Sequence, residues 1–353
     1  MLIRAFLFSC SIAIPALAVA DWNFYTEDYS KHKIIGQSLP ANWRPFADNS
    51  PWNTPLSDGV SIHPDSAKIM ATVHDEAKNI RLVKRYNTPI WVVNSDNMPQ
   101  QKVNSRKIFD FWDKDRDDWS DVPVPIEPSM WAEATNDGHI TIIDPFKMIA
   151  WEMSRFSWQE NDDGSFTPKS TTFNIWDLKG TGYAIPEGKR WHTRGGRGSG
   201  FPVIAGIIRP EELQANIINH ALIFSFSKNR RSEQDKDIFI NPPAARSDGK
   251  YVGAEYPIEG MRFQLDPTLT EADFDKWGLT KEAKVVARTL QRYGMFLGDS
   301  GGSMAIEVQM LAPFEKGNLI AWEERFPGFY ASVAKIPTQC FRVIDTEKKV
   351  IIK

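Results

Sequence analysis

Short apolar segments bounded by turn residues recur along the chain, and they constrain its fold more than any other feature. Each is strand-like in length and composition, which favours β-structure over helices. The segments are 90–93, 139–143, 150–153, 172–176, 221–226 and 304–308. The Asn-Asp-Asp-Gly sequence at 161–164 predicts a hairpin turn. We therefore expect a mainly β fold, a two-sheet antiparallel β-sandwich or jelly roll with a few short helices.

Three segments carry helical signals. Residues 66–79 place apolar side chains at a helical spacing. Pro210 suits the first position of a helix. Thr280 can cap a helix that runs through Tyr293 and ends at Gly294. The helix that Pro210 opens is expected to turn three apolar side chains inward, those of Leu213, Ile217 and Ile218.

The first twenty residues have the regions of a secretory signal peptide. Arg4 supplies the positive charge, residues 5–17 are largely apolar, and an Ala-Val-Ala sequence precedes the polar Asp21. The apolar run is short for a membrane span. We predict a signal peptide over residues 1–20, a secreted or periplasmic mature chain, and no membrane insertion after cleavage.

Cysteine content and length limit how the mature chain can be stabilised. Cys10 lies inside the predicted leader, so Cys340 remains alone and burial of apolar surface has to stabilise the fold. A chain of 353 residues with 13 Trp can fill a large core, and we expect residues 21–353 to form a single β-sandwich catalytic domain with peripheral extensions at both ends. The formal net charge of −3, without a basic run, disfavours nucleic acid as a partner.

The densest group of chemically useful residues lies between Trp191 and Ser227. Four glycines within 195–200 permit backbone angles closed to other residues and would let a ligand approach the main chain. Protons and positive charge are available there from His192, Arg194, Arg197 and His220. This composition suits an anionic or hydroxyl-rich substrate. It equally suits a glycine-rich loop whose arginines only bond carbonyl groups.

Metal and serine-protease chemistry have weak support. The six histidines are scattered singly, without a zinc motif. Residues 110–118 partly match a calcium loop, but aromatic and basic residues interrupt it and the turn lacks glycine. The Asp-Ser-Gly-Gly sequence at 299–302 is similar to the turn around a protease serine, yet no histidine and aspartate partners can be assigned to it. We expect neither a metal nor a cofactor.

Cleavage of a uronate polymer by β-elimination fits the remaining residue types. That reaction needs a cation for the substrate carboxylate, a base for the C5 proton and an acid for the leaving oxygen. Arg194 and Arg197 are candidates for the cation, His220 or His139 for the base, and Tyr293 for the acid. The residues expected to contact substrate are Arg194, His192, Trp191, Trp151 and Asn53.

Two alternatives stay open. A glycoside hydrolase on the same scaffold would depend on a carboxyl pair drawn from Glu152, Asp144 and Glu307. A noncatalytic carbohydrate-binding or cell-envelope protein would depend on exposed tryptophans instead. In the second case, replacing His220 or Tyr293 would leave binding intact.

Six short motifs occur in order between Asn49 and Gly302. They are SPWN (50–53), DGH (137–139), AGIIRPEE (205–212), NHAL (219–222), PIEGMRFQLDP (257–267) and YG (293–294). Together they resemble a family of secreted bacterial proteins, many of them called hypothetical, that is similar to β-jelly-roll polysaccharide lyases. The resemblance implies the architecture and an extracellular setting, and it assigns no catalytic residue. We therefore expect a secreted enzyme that cleaves an alginate-like acidic polysaccharide by metal-independent β-elimination.

Overall fold

The structure is a computed structural model that describes residues 34–106, 108–110, 123–182, 196–231, 238–346 and 350–352. The predicted signal peptide at 1–20 lies outside these ranges. Within them, no helix has both the length and the apolar character that crossing a membrane requires.

Short strands dominate the described chain. The strands are β1 (Ile34–Gly36), β2 (Arg81–Leu82), β3 (Ile90–Val93), β4 (Gln100–Lys102), β5 (Asn104–Ser105), β6 (Ile108–Asp110), β7 (Pro123–Pro125), β8 (Ile140–Asp144), β9 (Ile149–Ser154), β10 (Ser157–Glu160), β11 (Phe166–Ser170), β12 (Thr172–Asp177), β13 (Leu222–Phe226), β14 (Ile238–Ile240), β15 (Arg262–Leu265), β16 (Met295–Ser300), β17 (Ser303–Ile306), β18 (Phe341–Val343) and β19 (Val350–Ile352). The helices are α1 (Ser66–Glu76), α2 (Pro210–Gln214), α3 (Glu271–Lys276), α4 (Lys281–Arg292), α5 (Glu315–Arg325) and α6 (Phe329–Val333), with 3₁₀ turns at Ser95–Asn97 and Thr338–Cys340.

Two six-stranded sheets form the framework. The first has the order β1-β3-β8-β9-β12-β6, and the second has the order β18-β15-β16-β13-β17-β2. Both are mixed, because β3 runs parallel to β8, β12 to β6, β13 to β16 and β17 to β2. The mainly β prediction is confirmed. The finer expectation of an antiparallel jelly roll is not confirmed, since these parallel pairs need crossover connections that tight hairpins cannot supply.

The two sheets share a core. Ile143 and Trp176 of the first sheet belong to the same buried cluster as Ile223 and Phe296 of the second. Trp52 lies in this cluster, with its ring edge-on to Phe296 at a centroid distance of 4.8 Å. This middle core couples the sheets. Separate clusters bury the opposite faces, which explains why the strands are continuous apolar runs rather than strict alternations. The assignment of 21–353 to one domain stays a prediction.

Helices cover the other face of the second sheet. α1, α4 and α6 contribute buried side chains to one cluster with β13, β15 and β16. α4 begins as predicted: the Thr280 hydroxyl accepts a hydrogen bond from the N–H of Ala283, and Gly294 after the helix has φ +66°. α1 ends three residues before the predicted boundary at Asn79.

The strand and hairpin predictions are confirmed, whereas the helix predictions are confirmed only in part. All six strand predictions match observed strands within about two residues at each end, and β10 and β11 form the predicted antiparallel hairpin. The short helix α2 buries Leu213, and the residue Ile218 beyond it is also buried. The prediction for Ile217 is wrong, because α2 ends at Gln214 and Ile217 is exposed. α3, α5 and α6 were not expected.

Candidate functional site

A cavity with a volume of about 1120 Å³ lies against the second sheet. Its walls come from β2 with the loop that follows it to residue 86, loop 136–139, the strands β13, β16 and β17, and the helices α5 and α6. Several ionisable side chains line it, namely Arg81, Lys84, Arg85, Asp137, His139, Arg197, Asp299, Glu307, Glu315 and Glu323. This cavity is the candidate functional site.

The register of three strands brings two carboxyl groups to the cavity. Ser225 of β13 is paired with Asp299 of β16 on one side and with Ala305 of β17 on the other. Paired residues on neighbouring strands project to the same face, as do residues two apart on one strand. Glu307 follows Ala305 by two residues, and its N–H still donates to the Ile223 carbonyl at 3.3 Å. Asp299 and Glu307 therefore stand on one sheet face, on either side of β13.

Arg197 binds one of these carboxylates. Its Nη1 donates to Glu307 Oε1 and its Nη2 donates to the Val203 carbonyl at 2.7 Å, with both charged side chains less than a tenth exposed. Burial alone would lower the pKa of the guanidinium, but Glu307 and then Asp299 more than offset this, so the Arg197 pKa is raised. The Nε of Arg197 has no hydrogen-bond partner among the residues described.

The pKa of Asp299 at the cavity differs strongly from its ordinary value. Burial raises the pKa of Asp299 to about 7; Arg197 opposes the rise, and the negative charges of Asp248 and Glu307 add to it. The N–H of Ser300 donates to Asp299 Oδ1 at 2.9 Å and favours the ionised form. A carboxyl group with such a pKa retains its proton near neutral pH and can donate it to a substrate.

Gly198 makes this arrangement possible. A Cβ at this position would lie 2.9 Å from both Asp248 Cγ and Asp299 Oδ1, closer than carbon and oxygen atoms pack. The glycine cluster thus lets two carboxyl groups, rather than a ligand, approach the main chain. Its segment is fixed beside β16, because the N–H of Ser199 donates to the Gly298 carbonyl at 3.1 Å.

A second carboxyl pair lies behind Asp299. Asp248 accepts a hydrogen bond from the Ser300 hydroxyl, and its own N–H donates to Glu259 Oε2 at 3.1 Å. Glu259 is fully buried, and the Asn229 amide donates to its Oε1 at 3.1 Å. Burial, together with the neighbouring Asp248, raises the pKa of Glu259 well above its ordinary value. The Ser300 hydroxyl is thereby engaged with a carboxylate, unlike the serine of a protease triad.

His139 completes the inner wall of the cavity. Burial, followed by the charge of Arg197, lowers the pKa of His139, so the imidazole is neutral near pH 7. Its Nδ1 lies 3.9 Å from Glu133 Oε1, and the Thr135 hydroxyl donates to Glu133. Burial raises the pKa of Glu133, while Thr135 opposes the rise. A neutral imidazole in this place can donate or accept one hydrogen bond with a substrate hydroxyl.

Glu152 supports the site from the first sheet without reaching the cavity. It is fully buried, and its carboxylate accepts from the Trp176 indole and from the N–H groups of Val203 and Ile204 at 2.7–2.8 Å. Burial raises the pKa of Glu152 to about 7, and the three donors oppose that rise. Because Val203 also accepts from Arg197, Glu152 fixes the turn that positions the guanidinium.

The structure brings two of the four residues with predicted catalytic roles to this cavity. His139 and Arg197 line it. His220 does not: it is buried, its Nε2 contacts Glu212 Oε1 at 3.0 Å, and its Nδ1 contacts the Ala221 carbonyl at 2.9 Å. Tyr293 is also buried, in the middle core. The expected meeting of His220 and Tyr293 with Arg197 does not occur at this cavity, because packing and local hydrogen bonds hold both side chains elsewhere.

The two described residues that were predicted to contact substrate, Trp151 and Asn53, also lie away from this cavity. Trp151 is buried in a cluster on the outer face of the first sheet. Asn53 is buried, and its amide donates to the carbonyl groups of Pro45, Phe46 and Ala47. These contacts are internal, so neither side chain lines the cavity. Trp191, His192 and Arg194 lie outside the described residues.

Of the acids considered for hydrolysis, Glu307 alone lines the cavity. The carboxylate of Asp144 binds the 95–97 turn and its own strand end, accepting from the Ser95 hydroxyl and from the N–H groups of Phe146 and Lys147. Within the described ranges, no group of three or more His, Cys, Asp and Glu side chains is arranged to hold a metal ion.

Sequence reasoning missed Asp299, Asp248 and Glu259 as members of the site. Asp299 was noticed only as part of a turn. The available signal was its place near the end of the apolar strand β16, where only Ser300 separates it from a Gly-Gly turn, since polar residues at strand ends often face a site. Asp248 has no such local signal, because it comes close to Gly198 only through the tertiary fold.

No protein-family model matches this chain, and neither a curated protein nor a solved structure shows significant similarity to it. The resemblance suggested by the six motifs therefore stays a prediction. Function has to be argued from the geometry and chemistry of the cavity.

Proposed function

We propose that the protein is a glycoside hydrolase that uses Asp299 as proton donor and Glu307 as the carboxylate partner. One observation carries the proposal: two carboxyl groups share one face of the second sheet, and their environments differ. Burial raises the pKa of Asp299 to about 7, whereas Glu307 forms an ion pair with Arg197. A protonated and an ionised carboxyl group on one cavity wall are the pair that acid–base cleavage of a glycosidic bond requires.

The chemical roles follow from these environments. Asp299 donates its proton to the glycosidic oxygen as the bond to the anomeric carbon breaks. Glu307 accepts a proton from a water molecule, whose oxygen forms the new bond to the same carbon. Asp299 lies opposite Ser225 and Glu307 lies opposite Ile223, so their backbones are two strand spacings apart across the sheet and two residues apart along it, a diagonal of about 12 Å. Side chains starting from that separation suit an intervening water and hence inversion at the anomeric carbon.

The cavity favours hydrolysis over the elimination predicted from the sequence. Arg197 already forms a buried ion pair with Glu307, so its charge is neutralised and offers little attraction to a uronate carboxylate. Five carboxyl groups and four Lys or Arg side chains line the described cavity, so it offers no net attraction to a polyanion. A neutral polysaccharide is therefore the substrate class we propose.

Elimination remains the second candidate for one specific reason. The lowered pKa of His139, caused first by burial, leaves a neutral imidazole at the cavity wall that could remove a C5 proton. We also retain secretion as a proposal, which depends on the residue pattern of the first twenty positions.

The test is a comparison of two products from one set of incubations. The purified protein is incubated with soluble glucan, xylan and mannan and with alginate, pectin and hyaluronan, and both new reducing ends and the ultraviolet absorbance of unsaturated uronate are followed. We expect reducing ends from a neutral polymer without unsaturated product. Unsaturated product from an acidic polymer would establish elimination instead, and no product from any of the six polymers would remove the support for both reactions.

A matched pair of variants assigns the activity to the cavity. Asp299→Asn is expected to abolish release of reducing ends, while Asp144→Asn, which alters a buried carboxylate bound to the 95–97 turn, should retain it in the folded fraction. Loss in both variants with intact folding would place the chemistry elsewhere.

A further inference from the structure

A second cavity adjoins the candidate site. It has a volume of about 480 Å³, and Arg85, Glu315 and Leu319 line both cavities. Arg85 Nε lies 3.5 Å from Glu315 Oε2, and both side chains are about half exposed. The two spaces therefore form one groove, and the wall that they share carries an ion pair rather than a net charge.

Tyr86 stands in the first part of this groove in an unusual backbone conformation. Its side chain lines the larger cavity, is 44% exposed, and belongs to a residue with φ +64°. Left-handed backbone angles are uncommon for a bulky aromatic residue and mark positions where the surroundings impose the conformation. The loop is fixed on both sides, because the N–H of Val83 donates to the Ile306 carbonyl and the buried Asn87 amide donates to the Val83 carbonyl.

Phe314 stands in the second part. At 67% exposure it is the most exposed large apolar side chain of the described residues, and it lines the smaller cavity. Its backbone is fixed: the Pro313 carbonyl accepts from the N–H of Ala134, and the Phe314 carbonyl accepts from the N–H of Asn318 at 2.9 Å. Folding leaves this ring in water, although nearby core positions bury similar rings.

Two exposed aromatic rings on fixed backbone, within one groove, are suited to stack against sugar rings. Tyr86 can do so with the face opposite the Arg85 guanidinium, which lies 5.4 Å from its ring centroid. Aromatic faces bind the C–H faces of pyranose rings, and a fixed backbone reduces the entropy lost on binding. The balanced charges between the rings suit a neutral chain better than a polyanion.

We infer that Tyr86 and Phe314 are stacking platforms for successive parts of one extended neutral polysaccharide, which crosses the catalytic cavity and is cut within its length. This inference rests on the proposed hydrolase function for the identity of the cut bond. The platforms themselves do not depend on the reaction, so binding can be measured separately.

The experiment uses the full chain carrying Asp299→Asn, which should bind without turnover. Affinity for soluble glucan, xylan and mannan, and for oligosaccharides of increasing length from each, is measured by calorimetry. We expect at least one of the three polymers to bind, with affinity that rises with oligosaccharide length. Phe314→Ala and Tyr86→Asn should each weaken binding of the longest oligosaccharides about tenfold, and should change binding of disaccharides little. Asparagine is chosen because it tolerates the left-handed backbone of Tyr86.

Phe166→Ala is the matched control, since Phe166 is a 40% exposed aromatic on β11 that lines neither cavity. It should leave every affinity unchanged. Absence of binding, affinity independent of length, or equal losses in all three variants would overturn the inference. Platform-dependent binding without hydrolysis by the native protein would keep the groove and refute the hydrolase. Hydrolysis that neither platform variant affects would support the hydrolase and refute the platforms.

Discussion

Two buried ionic clusters in this protein have similar residue types and opposite surroundings. The closed cluster consists of Arg209, Glu212 and His220, and the open cluster consists of Arg197, Asp299 and Glu307. In the closed cluster, Glu212 Oε1 accepts from Arg209 at 2.7 Å and contacts His220 at 3.0 Å, and all three side chains are almost fully buried. In the open cluster, Asp299 and Glu307 line a cavity.

The difference in pKa follows from these surroundings. Burial alone would raise the pKa of Glu212, but Arg209 and then His220 lower it below its ordinary value. Asp299 has the opposite outcome, because burial and neighbouring carboxylates outweigh the effect of Arg197. A cluster that satisfies its own charges stabilises the fold, whereas a cluster that keeps a proton and a cavity is equipped for chemistry.

The largest expected effect is on turnover. Asp299→Asn should lower kcat about 10³-fold, because the general acid is lost, whereas His220→Ala should leave kcat of the folded fraction within about threefold. The measurement is reducing-end release at fixed folded concentration, taken from circular dichroism. Equal losses in the two variants would erase the distinction between the clusters.

The next effect is on stability. Arg209→Met should lower the free energy of unfolding by about 3 kcal/mol, because Glu212 then remains buried with its strongest partner removed. Arg85→Met, which breaks a half-exposed pair with Glu315, should cost less than about 1 kcal/mol. Urea denaturation measures both. A closed cluster no more sensitive than the surface pair would contradict its assigned structural role.

A smaller effect is expected on the pH dependence of stability. An unfolded chain releases the Asp299 proton near pH 4, whereas in the folded protein the pKa of Asp299 is about 7. Between these values the unfolded state binds fewer protons, so this contribution is full below about pH 4 and is lost as the pH rises through about 7. As the pH rises between those limits, the free energy of unfolding of Asp299→Asn should therefore increase by about 2 kcal/mol relative to that of the native protein. The difference is smaller than the full pKa shift implies, because solvent at the open cavity screens part of the effect. Parallel stability curves for the two proteins would oppose the raised pKa.

The smallest effect concerns the carboxyl group behind the donor. Asp248 adds negative charge beside Asp299 and raises its pKa. Asp248→Asn should therefore move the alkaline limb of the rate profile downward by a fraction of a pH unit, because the general acid loses its proton earlier. Asp137→Asn, at the exposed cavity rim, is the control and should leave that limb in place. An unchanged rate profile in Asp248→Asn would show that Asp248 does not raise the pKa of the proton donor.

Local sequence signals predicted the elements of this fold well and the site poorly. The Thr280 cap and the apolar segments predicted at 139–143 and 221–226 depend on neighbours along the chain, so local sequence was sufficient to identify them. The mixed strand order depends on long-range pairing, which no local pattern encodes. For the same reason, the sequence did not predict that Asp299 and Glu307 share one sheet face. That placement depends on the parallel pairing of β13 with β16 and the antiparallel pairing of β13 with β17 around Ser225.

Residue type alone misassigned the histidines. His220 has the composition of a catalytic base, with Glu212 eight residues before it, yet both ring nitrogens contact groups of the protein interior. His139 has no such sequence context but lies at the cavity wall. Gly198 shows the same limit of local sequence. A Cβ at this position would collide with two aspartates that are distant in sequence, so the neighbouring residues do not reveal why glycine is required.

The central claim is that Asp299 holds a proton near neutral pH while it faces the cavity. The most direct test is carbon NMR titration of protein labelled at the aspartate carboxyl carbon, with Asp299→Asn used to assign the resonance. We expect the Asp299 signal to titrate with a pKa of about 7. Titration near the ordinary value of about 4 would contradict the account, because the carboxyl group could then not serve as the proton donor.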